Sequence, residues 1–168
     1  FATGISTDGE KAIHTAKIGD FDATLIMTQD SESILATNTG LTFTMFAEAT
    51  DLKIGEGIEA LLLFRGCATD SNGDCLVTAD YVIEAPDGST YQKALNTDVW
   101  REARSSLVQQ HLTNTRVGFL LQPGSDAGLY KVRVTVSDKI KNIQLSLLGK
   151  VMANAPTHEE SDEVQQSL

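Results

Sequence analysis

From Phe21 onward the chain repeats with a period of two. Phe21, Ala23, Leu25 and Met27 alternate with Asp22, Thr24, Ile26 and Thr28, and Leu41, Phe43, Met45 and Ala47 alternate with Thr42, Thr44 and Phe46. A β-strand sends successive side chains to opposite faces, so this spacing gives one face to a core and the other to solvent; a helix repeats at 3.6 and cannot do so. Ile58 to Arg65 is apolar on both faces in its middle, Ala60 to Phe64, as a central strand is. Leu76 to Glu84 resumes the alternation, with Ala79, Tyr81 and Ile83 on one face. Arg116 to Gln122 and Leu129 to Val136 read as two more strands, and Ile143, Leu145 and Leu147 close the series. The Leu129 strand turns Tyr130, Val132, Val134 and Val136 inward and Lys131, Arg133 and Thr135 outward.

Short turns separate these runs. In Pro86-Asp87-Gly88-Ser89, Pro presets φ, Asp bonds its own backbone and Gly accepts positive φ. Many short strands with such punctuation predict an all-β, antiparallel sandwich of about seven to nine strands. One segment departs from period two. Between Asp98 and Leu112 the apolar residues Val99, Trp100, Ala103, Leu107, Val108 and Leu112 suit a short helix with Asp98 as N-cap, or else an irregular crossover between the sheets. Residues 1–18 have no clear pattern and read as a loosely ordered segment, 19–152 as the sandwich, and 153–168 as an acidic tail too polar to order itself.

The 168 residues suit one domain, long enough to bury a core of its own. A formal net charge of −10 repels phosphate backbones and anionic lipid, so neither nucleic acid nor a membrane surface is an expected partner. No run approaches the roughly 20 apolar residues that span a bilayer, so no membrane insertion is expected. The chain begins at Phe1 rather than Met, and the expectation is that an upstream segment is removed.

Residues 124–136, GSDAGLYKVRVTV, set Asp126, Gly128 and Tyr130 in the order of the tyrosine corner of immunoglobulin-like sandwiches, in which a Tyr near the start of a late strand bonds back to upstream backbone. Val132 stands where antibody domains place their second inter-sheet Cys, so that disulfide is not expected. The stretches DFDATLIMTQD, KIGEGIEALLLFRGC, DYVIEAPDGSTY and QPGSDAGLYKVRVTVSD, in that order, resemble a group of small exported proteobacterial proteins of unassigned function. The resemblance covers roughly residues 20–150. It implies export and an immunoglobulin-like β-sandwich, and it hands over no catalytic residue.

Cys67 and Cys75 bracket ATDSNGD. Three readings compete. Two cysteines close in sequence at strand ends of an exported chain pair as a disulfide, and the chain-entropy account gives about 2.5 kcal/mol for so short a ring. A zinc or redox centre lacks the C-x-x-C spacing and further ligands, since His14, His111 and His158 lie far apart. Calcium is the remaining alternative: Asp70, Asn72 and Asp74 match the first, third and fifth positions of an EF-hand loop. Cys75 then replaces its glycine, and Tyr81 its bidentate glutamate. The disulfide is the favoured reading, and no other cofactor is expected.

Gly55-Glu56-Gly57-Ile58-Glu59-Ala60 matches G-x-G-x-x-A but precedes a strand instead of opening a helix, so it reads as a turn. No nucleophile elbow, H-E-x-x-H or phosphate loop is present. Asp80 and Glu84 read as solvated carboxylates on an outward face. Trp100 reads as a plug at the open end of the core, or as an anchor for a partner. The expectation is a non-catalytic binding or accessory module of a bacterial cell envelope, periplasmic or secreted, that meets a protein or envelope component. The alternatives are a calcium-dependent adhesion module on residues 67–75 and a strand-swapping subunit.

Overall fold

The computed structural model describes residues 10–29, 50–104, 106–113 and 115–155. These residues build ten strands and no helix: β1 (Thr15–Ile18), β2 (Phe21–Thr28), β3 (Thr50–Lys53), β4 (Gly57–Arg65), β5 (Val77–Glu84), β6 (Thr90–Trp100), β7 (His111–Leu112), β8 (Val117–Leu120), β9 (Gly128–Asp138) and β10 (Ile143–Asn154). One sheet runs β1-β2-β4, with β7 and β8 both paired to β4; the other runs β3-β10-β9-β5-β6. The two pack as a sandwich around one apolar cluster.

The alternation read from the sequence supplies that cluster. Tyr130, Val132, Val134 and Val136 of β9 are buried, as are Val77, Ala79, Tyr81 and Ile83 of β5. From the other sheet come Phe21, Ala23 and Leu25 of β2 and Ile58, Ala60, Leu62 and Phe64 of β4. Sheets twist and side chains stand perpendicular to them, so a one-residue slip of any of these strands turns its apolar row outward. β4 is central and apolar on both faces: Leu61 and Leu63 join Ile26 and Leu112 in a second buried cluster.

Three features differ from the expected arrangement, and one expectation is resolved between its two forms. Among the described residues of 98–112 there is no helix, and the irregular crossover is the form found. Asp98, Val99 and Trp100 end β6, and the chain then crosses irregularly to β7. The apolar spacing arises from two separate burials, Val99 under one sheet and Leu112 on the other. β6 itself has no clear sequence signal because it is an edge strand with register shifts against β5; Asn96, at φ 54°, sits within one of them. One pair is parallel, β3 on β10, which makes that sheet mixed. β3 enters β4 across the Ile54–Glu56 turn and changes sheet in doing so, which sets its direction. Finally, residues 10–18 are tied down. Ile13 exchanges backbone hydrogen bonds with Leu148 of β10 at 2.8 and 2.9 Å, and β1 pairs with β2. The strand expected around Leu41 to Ala47 and the acidic tail from 156 onward lie outside the described residues.

This N-terminal strap ends in charge. Glu10 accepts from Lys131 Nζ at 2.9 Å and from both Arg133 terminal nitrogens at 2.8 Å, while Arg133 Nε donates to Glu84 at 2.6 Å. The outward carboxylate Glu84 is therefore ion-paired instead of free in solvent, and Asp80 accepts from the Asn96 amide at 2.7 Å, which fixes the bulge. At the opposite end of β1, Gly66 adopts φ +78° directly under the Asp20 carbonyl, and a Cβ there would overlap that backbone oxygen.

Two tests follow from these contacts. Gly66→Ala should destabilise the fold by about 2 kcal/mol or more, from positive φ and from a clash with backbone that cannot swing aside, read as a lowered urea midpoint at unchanged m. The Arg133 and Lys131 hydrogen bonds hold the Glu10 carboxyl down to about 2. A carboxylate with a depressed acidity constant stabilises the fold above its unfolded value, near 4.5, and loses that contribution as pH falls toward 2. Glu10→Gln should therefore lower the Tm at pH 6, with the gap from the parent shrinking between pH 4.5 and 2.

Candidate functional site

The sandwich has two poles, and the predicted site residues divide between them. At one pole Tyr130 Oη donates to the Asp126 carbonyl at 2.8 Å, the bond of a tyrosine corner. Gly128 there has φ +133° and packs its α-carbon against the Pro86 ring, which brings the corner onto the Pro86–Ser89 turn. Tyr91 extends the cluster: its ring meets those of Phe119 and Tyr130 edge-on at 5.5 and 5.4 Å. Tyr91 Oη donates to the Leu120 carbonyl and accepts from the Gln122 amide, both at 3.0 Å. These hydroxyls are occupied by backbone, so the pole is a structural joint.

At the other pole Cys67 and Cys75 form a disulfide, closing a loop with a sequence separation of 8. Inside it, Asp70 Oδ1 accepts from the amides of Asn72 and Asp74 at 2.8 and 3.1 Å. The oxygen that a calcium site would use first is directed at the loop's own turn. Among the described residues no three His, Cys, Asp or Glu side chains gather as a metal site. The Asp/Asn/Gly composition is thus accounted for by turn geometry, with Gly73 at φ +82°.

Asp138 anchors this loop to the sandwich. It is buried at the end of β9, and Oδ2 accepts from the Ala68 amide at 2.8 Å while Oδ1 accepts from Ile140 at 3.1 Å. One carboxylate thereby caps the β9–β10 turn and pins the disulfide loop. The local signal is visible in retrospect: Asp138 precedes Lys-Ile-Lys-Asn, a capped turn, but its reach to Ala68 spans 70 positions. Arg104 adds a second tie, its Nη1 donating to the Cys67 carbonyl. The Cys75 amide donates to Glu102 at 2.9 Å.

The crossover from β6 to β7 lies over this pole. Trp100 packs edge-on against Phe64 at 5.7 Å, and its indole N–H donates to the Ala103 carbonyl at 3.2 Å. Its other contact is His111, stacked parallel at 4.7 Å and 9°. His111 is buried, and its Nε2 has no hydrogen-bond partner among the described residues. Burial lowers its pKa by disfavouring the imidazolium, opposed by the Glu102 carboxylate. Beyond Trp100 the crossover turns apolar side chains outward, Leu107 at 45% and Val108 at 78% exposure. Leu107 lies on the lip of a cleft of about 230 Å³ whose walls include Phe21, Ala68, Arg104, Lys141 and Asp20. Two wider clefts, of about 420 and 530 Å³, lie along the seam between β6 and β8 near Gln92 and Leu120.

No protein-family model and no curated protein matches the chain. Several solved structures align with parts of it at low identity. A family 123 glycoside hydrolase from Clostridium perfringens that acts on glycolipid glycans aligns with 82% of this chain at 8% identity and a TM-score of 0.47, and the chain spans 28% of that enzyme. The CARDB domain of a Pyrococcus furiosus protein, in complex with di-metal ions, aligns over 84% of this chain and all of its own length at 9% identity and a TM-score of 0.41. A Niemann-Pick type C2 protein from the Japanese carpenter ant aligns over 87% of this chain and 96% of its own at 8% identity and a TM-score of 0.40. Likeness at this level carries no functional argument.

The double role of Asp138 is testable. Asp138→Ala takes a buried acceptor away from the Ala68 and Ile140 amides, a loss of about 1–3 kcal/mol in all. Urea unfolding should show a loss larger than that of Asp70→Ala, whose acceptor faces solvent and is replaceable by water.

Proposed function

We propose that this chain is a non-catalytic binding or accessory module that works in an oxidising compartment, the periplasm or the exterior of a bacterial cell, and meets a protein of the envelope through its disulfide pole. The observation that carries this reading is the pair Leu107 and Val108, side by side on the crossover and open to solvent, above a pole stiffened by a disulfide, a buried carboxylate and an aromatic stack. Large apolar side chains grouped on a rigid support suit an interface core, and half-buried Trp100 is the residue type that anchors such contacts.

The cross-link supports the compartment part of this reading. A disulfide persists outside the reducing cytosol. Among the described residues no helix is long and apolar enough to cross a membrane. Support for a non-catalytic role comes from the carboxylates whose pKa is lowered. Glu10 serves the N-terminal strap, and Asp87 is lowered by hydrogen bonds from Ser89 in its turn. Both belong to the scaffold.

A photo-reactive amino acid placed at Val108 in the cells that make the protein should give a discrete cross-linked protein, absent when the same group replaces exposed Lys93 on β6. The adduct should fall at least tenfold on Leu107→Ser. Cross-linking at neither position, or equally at both, would discard this surface.

A further inference from the structure

We propose that the β6–β7 crossover is an acid-operated latch whose trigger is His111: protonation of the imidazole releases β7 and the Trp100 stack from the disulfide pole. This goes beyond the binding reading and does not depend on it, since it concerns the movement of the crossover itself.

The geometry is specific. His111 is only 7% exposed, and its Nε2 is buried with no acceptor among the described residues. One ring face lies flat on the indole of Trp100 at 4.7 Å, and the Phe64 ring stands 5.4 Å away. The neutral ring fits this slot, because an unpaired aromatic nitrogen costs little beside the stacking and apolar burial it allows. An imidazolium carries N–H donors on both nitrogens, and the one at Nε2 would lack an acceptor in a slot closed to water. The proton is therefore taken up more readily with the crossover open than closed.

The element that would move has few backbone bonds. β7 is two residues long and, among the described residues, pairs with Leu63 and Phe64 of β4, with Leu112 buried beneath it. The Thr113 amide adds one bond to the Leu62 carbonyl at 2.9 Å. On its N-terminal side the crossover residues from Leu107 to Gln110 are exposed. Elements with few backbone bonds and exposed flanks open far below the free energy of global unfolding.

The charges around the ring do not remove the effect. On the crossover, the Glu102 carboxylate favours the imidazolium, while Arg101 is committed to Asp98 at 3.4 Å and Arg104 to the Cys67 carbonyl. On β4, Arg65 is paired to Asp22 at 2.6 Å. In the disulfide loop, Asp74 joins the crossover through its backbone bridge to Ala103. Burial outweighs Glu102, so the closed-state pKa lies below the ordinary value of 6.5. The sign is then fixed. The open state binds the proton first as pH falls through 6.5. The closed-to-open ratio drops by up to tenfold for each unit below that, until the closed state also titrates.

Trp100 is the only tryptophan of the chain, so its emission reads the latch directly. The full oxidised chain is titrated from pH 8 to 5 while far-UV circular dichroism follows the sandwich. The expected result is a red shift of the emission and at least a threefold rise in acrylamide quenching, with the midpoint below 6.5 and the dichroism unchanged. His111→Phe keeps an aromatic ring in the slot without a titrating nitrogen, and its emission should stay flat. Glu102→Gln removes a charge that favours the imidazolium in the closed state, so it should move the midpoint to higher pH. The latch is overturned by a flat emission in the parent, by quenching without the red shift and acrylamide access, or by His111→Phe titrating like the parent. Should His111→Phe fail to fold, His111→Gln is read in the same way.

Discussion

Two apolar faces pressed together leave two long open sides, and most of what is particular to this protein closes them. The inner rows of β2, β4, β5 and β9 set the register of both sheets, because a slip by one residue would exchange buried valines and leucines for lysine, arginine and threonine. Once that burial is fixed, the backbone groups along the sides still need partners. On one side the strap at Ile13 and the parallel strand β3 share the free edge of β10. Gly149 of β10 allows this closeness, since a side chain there would run into Met27 and Leu25 of the opposite sheet.

The other side is closed without strand pairing. β6 and β8 belong to different sheets, and side chains tie one to the other. Gln92 donates to the Gly118 carbonyl at 2.9 Å and Tyr91 to that of Leu120, while the Thr115 hydroxyl donates to the carbonyl of Asp98. Such bonds satisfy exposed carbonyls that would otherwise template another strand, and the bulge at Asn96 twists the middle of β6 away from flatness. The wider clefts lie along the same seam, with Gln92 and Leu120 in the walls of both.

The disulfide pole combines rigidity with a hinge. Cys67–Cys75, Asp138 and the close approach of Gly66 to Asp20 fix the loops that come from β4, β9 and β1. The crossover rests on this base through a two-residue strand and an aromatic stack, with its apolar residues outward. A surface that is firm beneath and lightly latched above can present Leu107 and Val108 to a partner and still respond to its surroundings. The tyrosine pole has no such freedom, since its hydroxyls are held by backbone at Asp126, Leu120 and Gln122.

The sequence by itself determined the class of fold and its central strands, because burial between two sheets imposes a period of two on β2, β4, β5 and β9. It also determined local chemistry: the Pro86–Ser89 turn, the Asp70 turn and the order of residues at Tyr130 depend on neighbours within a few positions. The tertiary structure alone decided the rest. β6 was hidden because an edge strand meets solvent along much of both faces and its bulges break the alternation. The residues from 98 to 112 mimicked a helix because two burials in different sheets happened to fall at helical spacing. Residues 10–13 looked unpatterned because their order comes from Leu148, Lys131 and Arg133, more than a hundred positions away. Asp138 and His111 are unremarkable in sequence, and only packing gives one a distant amide to hold and the other a slot that disfavours its protonated form.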